Sequence, residues 1–319
     1  LASTSDTYTL TVTNTNDAPV VAVVIADAST AEDAAYSYDA SVNLTDVDAG
    51  DGATYTVTDN PAWLSIDATT GILSGTPENA DVASVDITVT RTDTALASTS
   101  DTYTLTVTNT NDAAVISGTS TGSATEDDIT TTATGTLTHT DVDSDNADNT
   151  FTAVSSETDS ANGYGTYTVT AGGVWTYTLS NANATVSALA ANAITTDSFA
   201  VTAEDETSQT VTVTITGVND APVVAVVIAD ASTAEDAAYS YDASVNLTDV
   251  DAGDGATYTV TDNPAWLSID ATTGILSGTP ENADVASVDI TVTRTDTALA
   301  STSDTYTLTV TNTNDAAVI

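Results

Sequence analysis

The residues able to do chemistry in this chain are carboxylates, and they recur in one pattern. Asp-Val-Asp occurs three times, as Asp46/Asp48, Asp141/Asp143 and Asp249/Asp251. On a strand, residues i and i+2 point the same way. Each pair should therefore converge while its central valine (Val47, Val142, Val250) faces the core. Two adjacent carboxylates with no cation between them repel and resist ionising together. Hard oxygen donors, with no cysteine and a single histidine in the chain, point to calcium rather than zinc. Calcium takes roughly six to eight oxygens, so more donors must join each pair from elsewhere.

Other chemistries have little to work with. Without cysteine there is no disulfide framework and no thiol nucleophile, and lysine is absent too. His139, in TLTHTDVD, has no evident nucleophile to activate, and it reads as a half-buried strand residue beside a metal site. Paired carboxylates also serve glycosidases, but that reading does not explain why the same pair recurs in every repeat. The chain is therefore not expected to be an enzyme.

Charge narrows the partners. The 46 acidic residues face two basic ones, Arg91 and Arg294, for a net charge of −44. Such a surface repels phosphate backbones and anionic membranes, so neither nucleic acid nor direct membrane contact is expected. Charge on this scale also opposes compaction unless it is neutralised. Two readings compete: a solvated acidic surface, or carboxylates that hold metal. With 41 % hydrophobic residues the chain can still bury a core, and no apolar run approaches the ~18 residues of a membrane span.

The elements that must position the carboxylates are repeated. Asn16–Ile116 recurs unchanged as Asn219–Ile319, and Leu1–Ala18 reappears as Leu96–Ala113 and Leu299–Ala316. The expected organisation is the end of one repeat (1–16), a full unit (17–111), a different unit (112–219), the first unit again (220–314) and the start of another (315–319). Period-two alternation runs throughout. DTYTLTVTN puts Tyr103, Leu105 and Val107 on one face, and VDITVT does the same with Val85, Ile87 and Val89. In the middle unit Trp175, Tyr177 and Leu179, then Phe199, Val201 and Ala203, and then Val211, Val213 and Ile215 alternate likewise. Turn clusters (AGDG, DNPA, ATTG, NGYG) separate these strands, and only 184–193 suggests a helical turn. The fold class is all-β, a series of Greek-key sandwiches of immunoglobulin type. Trp63, Trp175 and Trp266 stand among alternating apolar residues and read as core.

Strand directions in such a sandwich gather further donors. Glu32 ends the first strand at the bottom of its unit, while Asp46, Asp48 and Asp93 end upward strands at the top. The last strand runs down and delivers Asn109, Asn111 and Asp112 to the bottom. Donors therefore meet where one unit joins the next.

Several motifs carry a family resemblance. Units 17–111 and 220–314, with TAEDAAYSY, LTDVDAGDGATYTV, NPAWLSIDATTGILSGTPENAD and ITVTRTD closed by TNTNDA, resemble bacterial cadherin-like or immunoglobulin-like domains of large repetitive surface proteins. Residues 112–219, with GSATEDD, TATGTLTHTDVDSD, YGTYTVTAGGVWTYTL and VTVTITGVNDAPV, resemble a VCBS repeat. The resemblance to cadherins implies calcium ligands residue by residue. A domain-opening glutamate falls at Glu32, Glu126 and Glu235, and the paired aspartates are the three Asp-Val-Asp motifs. A sixth-strand aspartate falls at Asp93, Asp205 and Asp296. The linker Asn-Asp falls at Asn16–Asp17, Asn111–Asp112, Asn219–Asp220 and Asn314–Asp315. PEN replaces the cadherin acidic loop and offers Glu78 and Glu281, with Asp197 as the middle unit's candidate.

The resemblance implies a monomeric extender of an RTX-type adhesin, secreted to the bacterial cell surface. Calcium would stiffen its inter-unit junctions, and its partners would be the neighbouring domains of the same chain. The alternative is a glycan- or protein-binding module, which an aromatic cluster on one set of loops would favour.

Overall fold

A computed structural model describes residues 1–48, 50–127, 131–143 and 150–314. The chain forms two compact units: Leu1–Val115 with Thr140–Asn149, and Ile116–His139 with Thr150–Ile319. The fold is nearly all β. Among the described residues the helical elements are short 3₁₀ turns, and no helix is long and apolar enough to cross a membrane.

The first unit holds the first copy's sandwich. Its strands are β1 (Val20–Val21), β2 (Ala28–Ala31), β3 (Tyr36–Asp39), β4 (Leu44–Thr45), β5 (Thr54–Thr58), β6 (Ser65–Ile66), β7 (Ile72–Gly75), β8 (Ser84–Thr92) and β9 (Ser98–Thr108). One sheet runs β2-β9-β8-β5 and the facing one β3-β7-β6, while β1 pairs with β4. β2 lies parallel to β9, and β9 antiparallel to β8. Alternation explains the core: Ile87 and Val89 of β8 and Tyr103 and Leu105 of β9 pack with Tyr36 and Leu73 of the other sheet. Outward positions on the same strands carry threonines, whose hydroxyls pair across strands, as between Thr88 and Thr102. Residues 1–13, identical to the β9 segment, lie outside any sheet and are exposed.

The second unit holds two sandwiches. In the middle one, β10 (Val115–Gly118), β12 (Thr132–Thr140), β15 (Val174–Leu179), β14 (Gly165–Val169) and β13 (Val154–Asp159) form one sheet in that order. β11 (Thr121–Thr125), β17 (Ser208–Thr216) and β16 (Ile194–Thr202) form the other. Trp175 and Tyr177 are fully buried, and Phe199 stacks on Tyr167 with ring centroids 4.3 Å apart. Gly135, opposite Trp175 in the sheet, makes room for that indole: a Cβ there would lie 2.4 Å from the ring. Segment 184–193 forms turns, with one Ser187-to-Asn183 bond of helical span. The second copy repeats the first, including its core of Ile290, Val292, Tyr306 and Leu308. Trp63 and Trp266 are half-buried and edge-on to Tyr36 and Tyr239. All three tryptophans therefore pack as core.

Candidate metal centres along the linkers

The Asp-Val-Asp motifs are not strand. Each lies just past a strand end, and the first carboxylate turns back on the chain. Asp46 Oδ1 accepts the Asp48 N–H at 3.0 Å, Asp141 Oδ1 that of Asp143 at 3.0 Å, and Asp249 Oδ1 that of Asp251 at 3.1 Å. This side-chain turn takes the chain out of the sheet. The expectation that the valine faces the core therefore fails: Val47, Val142 and Val250 are 73 %, 65 % and 47 % exposed. The two aspartates of a pair take separate parts: the first closes the turn, and the second reaches the linker.

The second aspartate of each pair holds the linker that precedes its own domain. Asp48 Oδ2 accepts the Asp17 N–H at 2.7 Å, Asp143 Oδ2 that of Asp112 at 2.9 Å, and Asp251 Oδ2 that of Asp220 at 3.0 Å. Two residues earlier the linker is held by the glutamate that follows the short strand β2 or its counterpart. Thr110 N–H donates to Glu32 Oε1 at 2.6 Å, Val218 N–H to Glu126 Oε2 at 3.4 Å, and Thr313 N–H to Glu235 Oε1 at 2.6 Å. The linkers at 110–112 and 218–220 are thus each held to carboxylates at two points. In the two linkers that precede a copy the asparagine binds the long-strand aspartate: Asn16 Nδ2 donates to Asp93 Oδ2 at 3.0 Å and Asn219 Nδ2 to Asp296 Oδ2 at 2.9 Å.

Three groups of carboxylates have ligand atoms within 4.8 Å of one another: Asp46/Asp51/Asp93, Glu126/Asp127/Asp220 and Asp249/Asp254/Asp296. Asp51, Asp254 and Asp127 escaped the sequence reading. The first two belong to the AGDG turn three residues beyond the Asp-Val-Asp, and Asp127 follows Glu126 in a left-handed conformation (φ 52°). Asn14, which donates to Asp48 Oδ1 at 2.7 Å, and Asn79 were missed too. In PEN it is Asn79 that reaches the cluster, donating to Asp112 at 2.7 Å and to Asp143 at 3.3 Å. Glu78 and Glu281 are exposed and begin 3₁₀ turns, their N–H groups bonded to Asp81 and Asp284.

Elsewhere the expected donors are placed variously. Asp205 closes its own turn on Thr207 at 2.9 Å. Asn109 is half-buried, Asn111 is exposed with its amide on the Asp112 carbonyl at 3.2 Å, and Asn314 is exposed. Asp315 lies outside the described residues. Asp197 is 1 % exposed and serves the core instead: it accepts from Ser160, Asn162, Tyr164, Tyr177 and Ser198. His139 stands edge-on to Phe151 at 4.8 Å.

In the second unit burial and mutual repulsion raise several carboxyls. Burial pushes the Glu126 carboxyl up to about 7, and Asp220, Asp127 and Asp251 add to it against the Val218 N–H. Asp220 is raised by burial, then by Asp127 and Asp249; Asp251 is raised by burial, then by Asp220, Asp249 and Asp254. Asp93 goes the other way, held below the usual range foremost by the Asn16 amide. Many buried ligand-type oxygens have no hydrogen-bond partner among the described residues: Glu32 Oε2, Glu126 Oε1, Glu235 Oε2, Asp46 Oδ2, Asp51 Oδ2, Asp249 Oδ2, Asp251 Oδ1 and Asn109 Oδ1. Polar groups so buried are normally satisfied. A hard divalent cation would satisfy them, since oxygens that each lie about 2.3–2.6 Å from one ion fall within such mutual distances.

Sandwiches joined by short, carboxylate-stitched linkers define a tandem array of cadherin-like and immunoglobulin-like domains. The family described as "Putative Ig domain" matches residues 18–108 and 221–311, more than half of the chain, and the chain belongs to that family. Residues 111–217 match the family described as "Bacterial cadherin-like domain". Domains of both kinds are generally structural or adhesion modules rather than enzymes. Among solved structures the fold is similar to mouse cadherin-23 EC22-24, with 16 % identity and a TM-score of 0.53 over 93 % of this chain and 100 % of that one. It is also similar to protocadherin gamma B2 extracellular cadherin domains 3-6, with 15 % identity and a TM-score of 0.52 over 92 % of this chain and 72 % of that one. Identities this low speak for the fold alone. No curated protein sequence matches the chain.

Proposed function

We propose that this chain is an extender segment of a large secreted bacterial surface adhesin of RTX type, with calcium at its linkers. In this reading the middle domain is a VCBS-type repeat, and the array holds a distal binding region away from the cell, in settings such as biofilm attachment. The segment works as a monomer whose partners are its own neighbouring domains, without nucleic acid or direct membrane contact. The observation that carries it is the set of buried, unpartnered carboxylate oxygens that recurs at each linker. A merely solvated acidic surface would turn those oxygens outward to water.

The residues that would hold calcium are Glu126, Asp127 and Asp220 together, and Asp249, Asp254 and Asp296 together, with Asp251 between the two sets through Asp220. The first copy offers Asp46, Asp51 and Asp93. At the linker that follows β9, Glu32, Asp112, Asp141 and Asp143 are the counterparts, with Asn79 added. Bound calcium supplies positive charge where several carboxylates meet. The protein's part is to hold those carboxylates on short linkers, so that bending a linker would separate ligands of one ion.

Two measurements test this. Calorimetry should find several calcium ions per chain in the range of about 0.1–1 mM that is usual for extracellular modules. Solution scattering should show a narrower distribution of dimensions in millimolar calcium than in EDTA. Identical scattering profiles in the two conditions would remove calcium as the lock.

A further inference from the structure

The chain has two basic side chains in 319 residues, and both are buried at the same place. Arg91 and Arg294 are 9 % and 8 % exposed. They continue the inward row of the long strand, Ile87-Val89-Arg91 and Ile290-Val292-Arg294, which ends at the cluster aspartates Asp93 and Asp296. Arg91 Nη1 donates to the Leu44 carbonyl at 3.0 Å, and Arg294 Nη1 to that of Leu247 at 3.0 Å. Arg294 Nη2 lies 3.6 Å from Asp249 Oδ2, an oxygen with no hydrogen-bond partner, in a pair whose side chains are 10 % and 1 % exposed. The Nε of each arginine is buried without a partner among the described residues. A guanidinium so poorly hydrogen-bonded is costly to bury unless nearby charge compensates it.

We propose that Arg91 and Arg294 are tethered counter-cations of the strand-end carboxylate clusters in the two copies. Resting on the calcium reading above, this divides the metal sites into two classes. In the copies the cluster is one charge less negative, keeps its shape without metal and binds calcium more weakly than its carboxylates alone would. In the middle domain the same position, two residues before Asp205, is Ala203, 1 % exposed and bridged to Phe151. With Arg91 and Arg294 both in the copies and no other lysine or arginine in the sequence, the middle domain's Asp141 and Asp143 depend on metal for neutralisation.

The test uses the full chain. In Arg91→Met/Arg294→Met, calcium affinity at the copies' clusters should rise by roughly tenfold or more, the effect of removing one positive charge about 6 Å from a divalent ion even at a water-like dielectric. The sites at Asp141 and Asp143 should not change. In EDTA the same variant should melt lower than wild type, and adding Asp46→Asn/Asp249→Asn should restore the melting temperature by removing the uncompensated carboxylates. Arg91→Lys/Arg294→Lys, which keeps the charge, should hold the calcium affinity within about threefold of wild type and serves if the methionine variant does not fold. Unchanged affinity in the methionine variant, or a tenfold gain in the lysine variant, overturns the inference while leaving calcium binding itself intact. If wild type binds no calcium, the proposed function falls instead. The counter-cation role then stands or falls on whether the asparagine substitutions restore melting in EDTA.

Discussion

Replacing Glu126 with glutamine separates what its carboxylate costs the metal-free protein from what it offers a metal. Glu126 is 1 % exposed, one oxygen accepts the Val218 N–H, and the other has no partner among the described residues. Burial, with Asp220, Asp127 and Asp251 adding to it, brings its pKa from 4.5 to about 7. That displacement corresponds to roughly 3 kcal/mol of disfavoured charge. The sign follows from proton binding. Between about 4.5 and 7 the folded chain holds a proton that the unfolded chain releases, so metal-free stability falls as pH rises through this window. Above pH 7 the loss is complete, and below about 4.5 it vanishes. Glutamine keeps the shape without the charge. Glu126→Gln should therefore stabilise the metal-free middle domain at pH 8 by up to roughly 3 kcal/mol and have little effect at pH 4.5. With millimolar calcium the sign should reverse, because a ligand charge is gone. Unfolding followed by Trp175 fluorescence, in a Trp63→Phe/Trp266→Phe background, reads the middle domain alone. A variant no more stable than wild type in EDTA at pH 8 would refute the claim that Glu126 sits unneutralised among carboxylates.

Other expectations need less argument. Asp143→Asn should weaken calcium binding at its linker by on the order of a hundredfold, the effect of losing one ligand charge at contact distance, while the sandwich cores melt as before; unchanged calorimetry would refute the placement. Trypsin has only Arg91 and Arg294 to attack, and both are buried, so cleavage must follow opening: slow in calcium and faster in EDTA, with equal rates counting against a calcium-ordered strand end. Gly135→Ala should destabilise the middle domain by about 1–3 kcal/mol, because its Cβ would meet the Trp175 ring at 2.4 Å. Leu105→Ala, at a position with no exposed surface, should cost about 2–5 kcal/mol in thermal unfolding.

Much of the fold was legible because strand alternation is a short-range signal. Every β9, β15, β16 and β17 position read as inward, from Tyr103 to Ile215, is buried. The carboxylate pairs were legible as a recurrence, but their geometry was not. An aspartate at a strand end can accept its neighbour's N–H, and that single bond at Asp46, Asp141 and Asp249 turned an expected pleat into a loop. Asp51 and Asp254 were missed because their approach depends on how the AGDG loop closes, which period-two reasoning does not reach. One signal was available and unused. The linker before the second copy reads GVND where the others read NTND, and the structure gives the reason: a Cβ at Gly217 would lie 2.3 Å from the Leu189 carbonyl.

That glycine also changes the site. Where the first copy has Asn14 donating to Asp48 Oδ1, the second has Gly217 and no amide to give, and the equivalent oxygen, Asp251 Oδ1, is buried without a partner. The same linker is braced instead by backbone, with Ala252 N–H donating to the Ala188 carbonyl at 2.9 Å. Two copies identical from Asn16 to Ile116 and from Asn219 to Ile319 therefore present chemically different carboxylates. An oxygen that already accepts an amide N–H has one lone pair left for a cation, whereas a buried oxygen with no partner among the described residues keeps both. Because the copies themselves are identical, any difference in metal affinity between their clusters must come from residues outside them, such as Asn14 and Gly217.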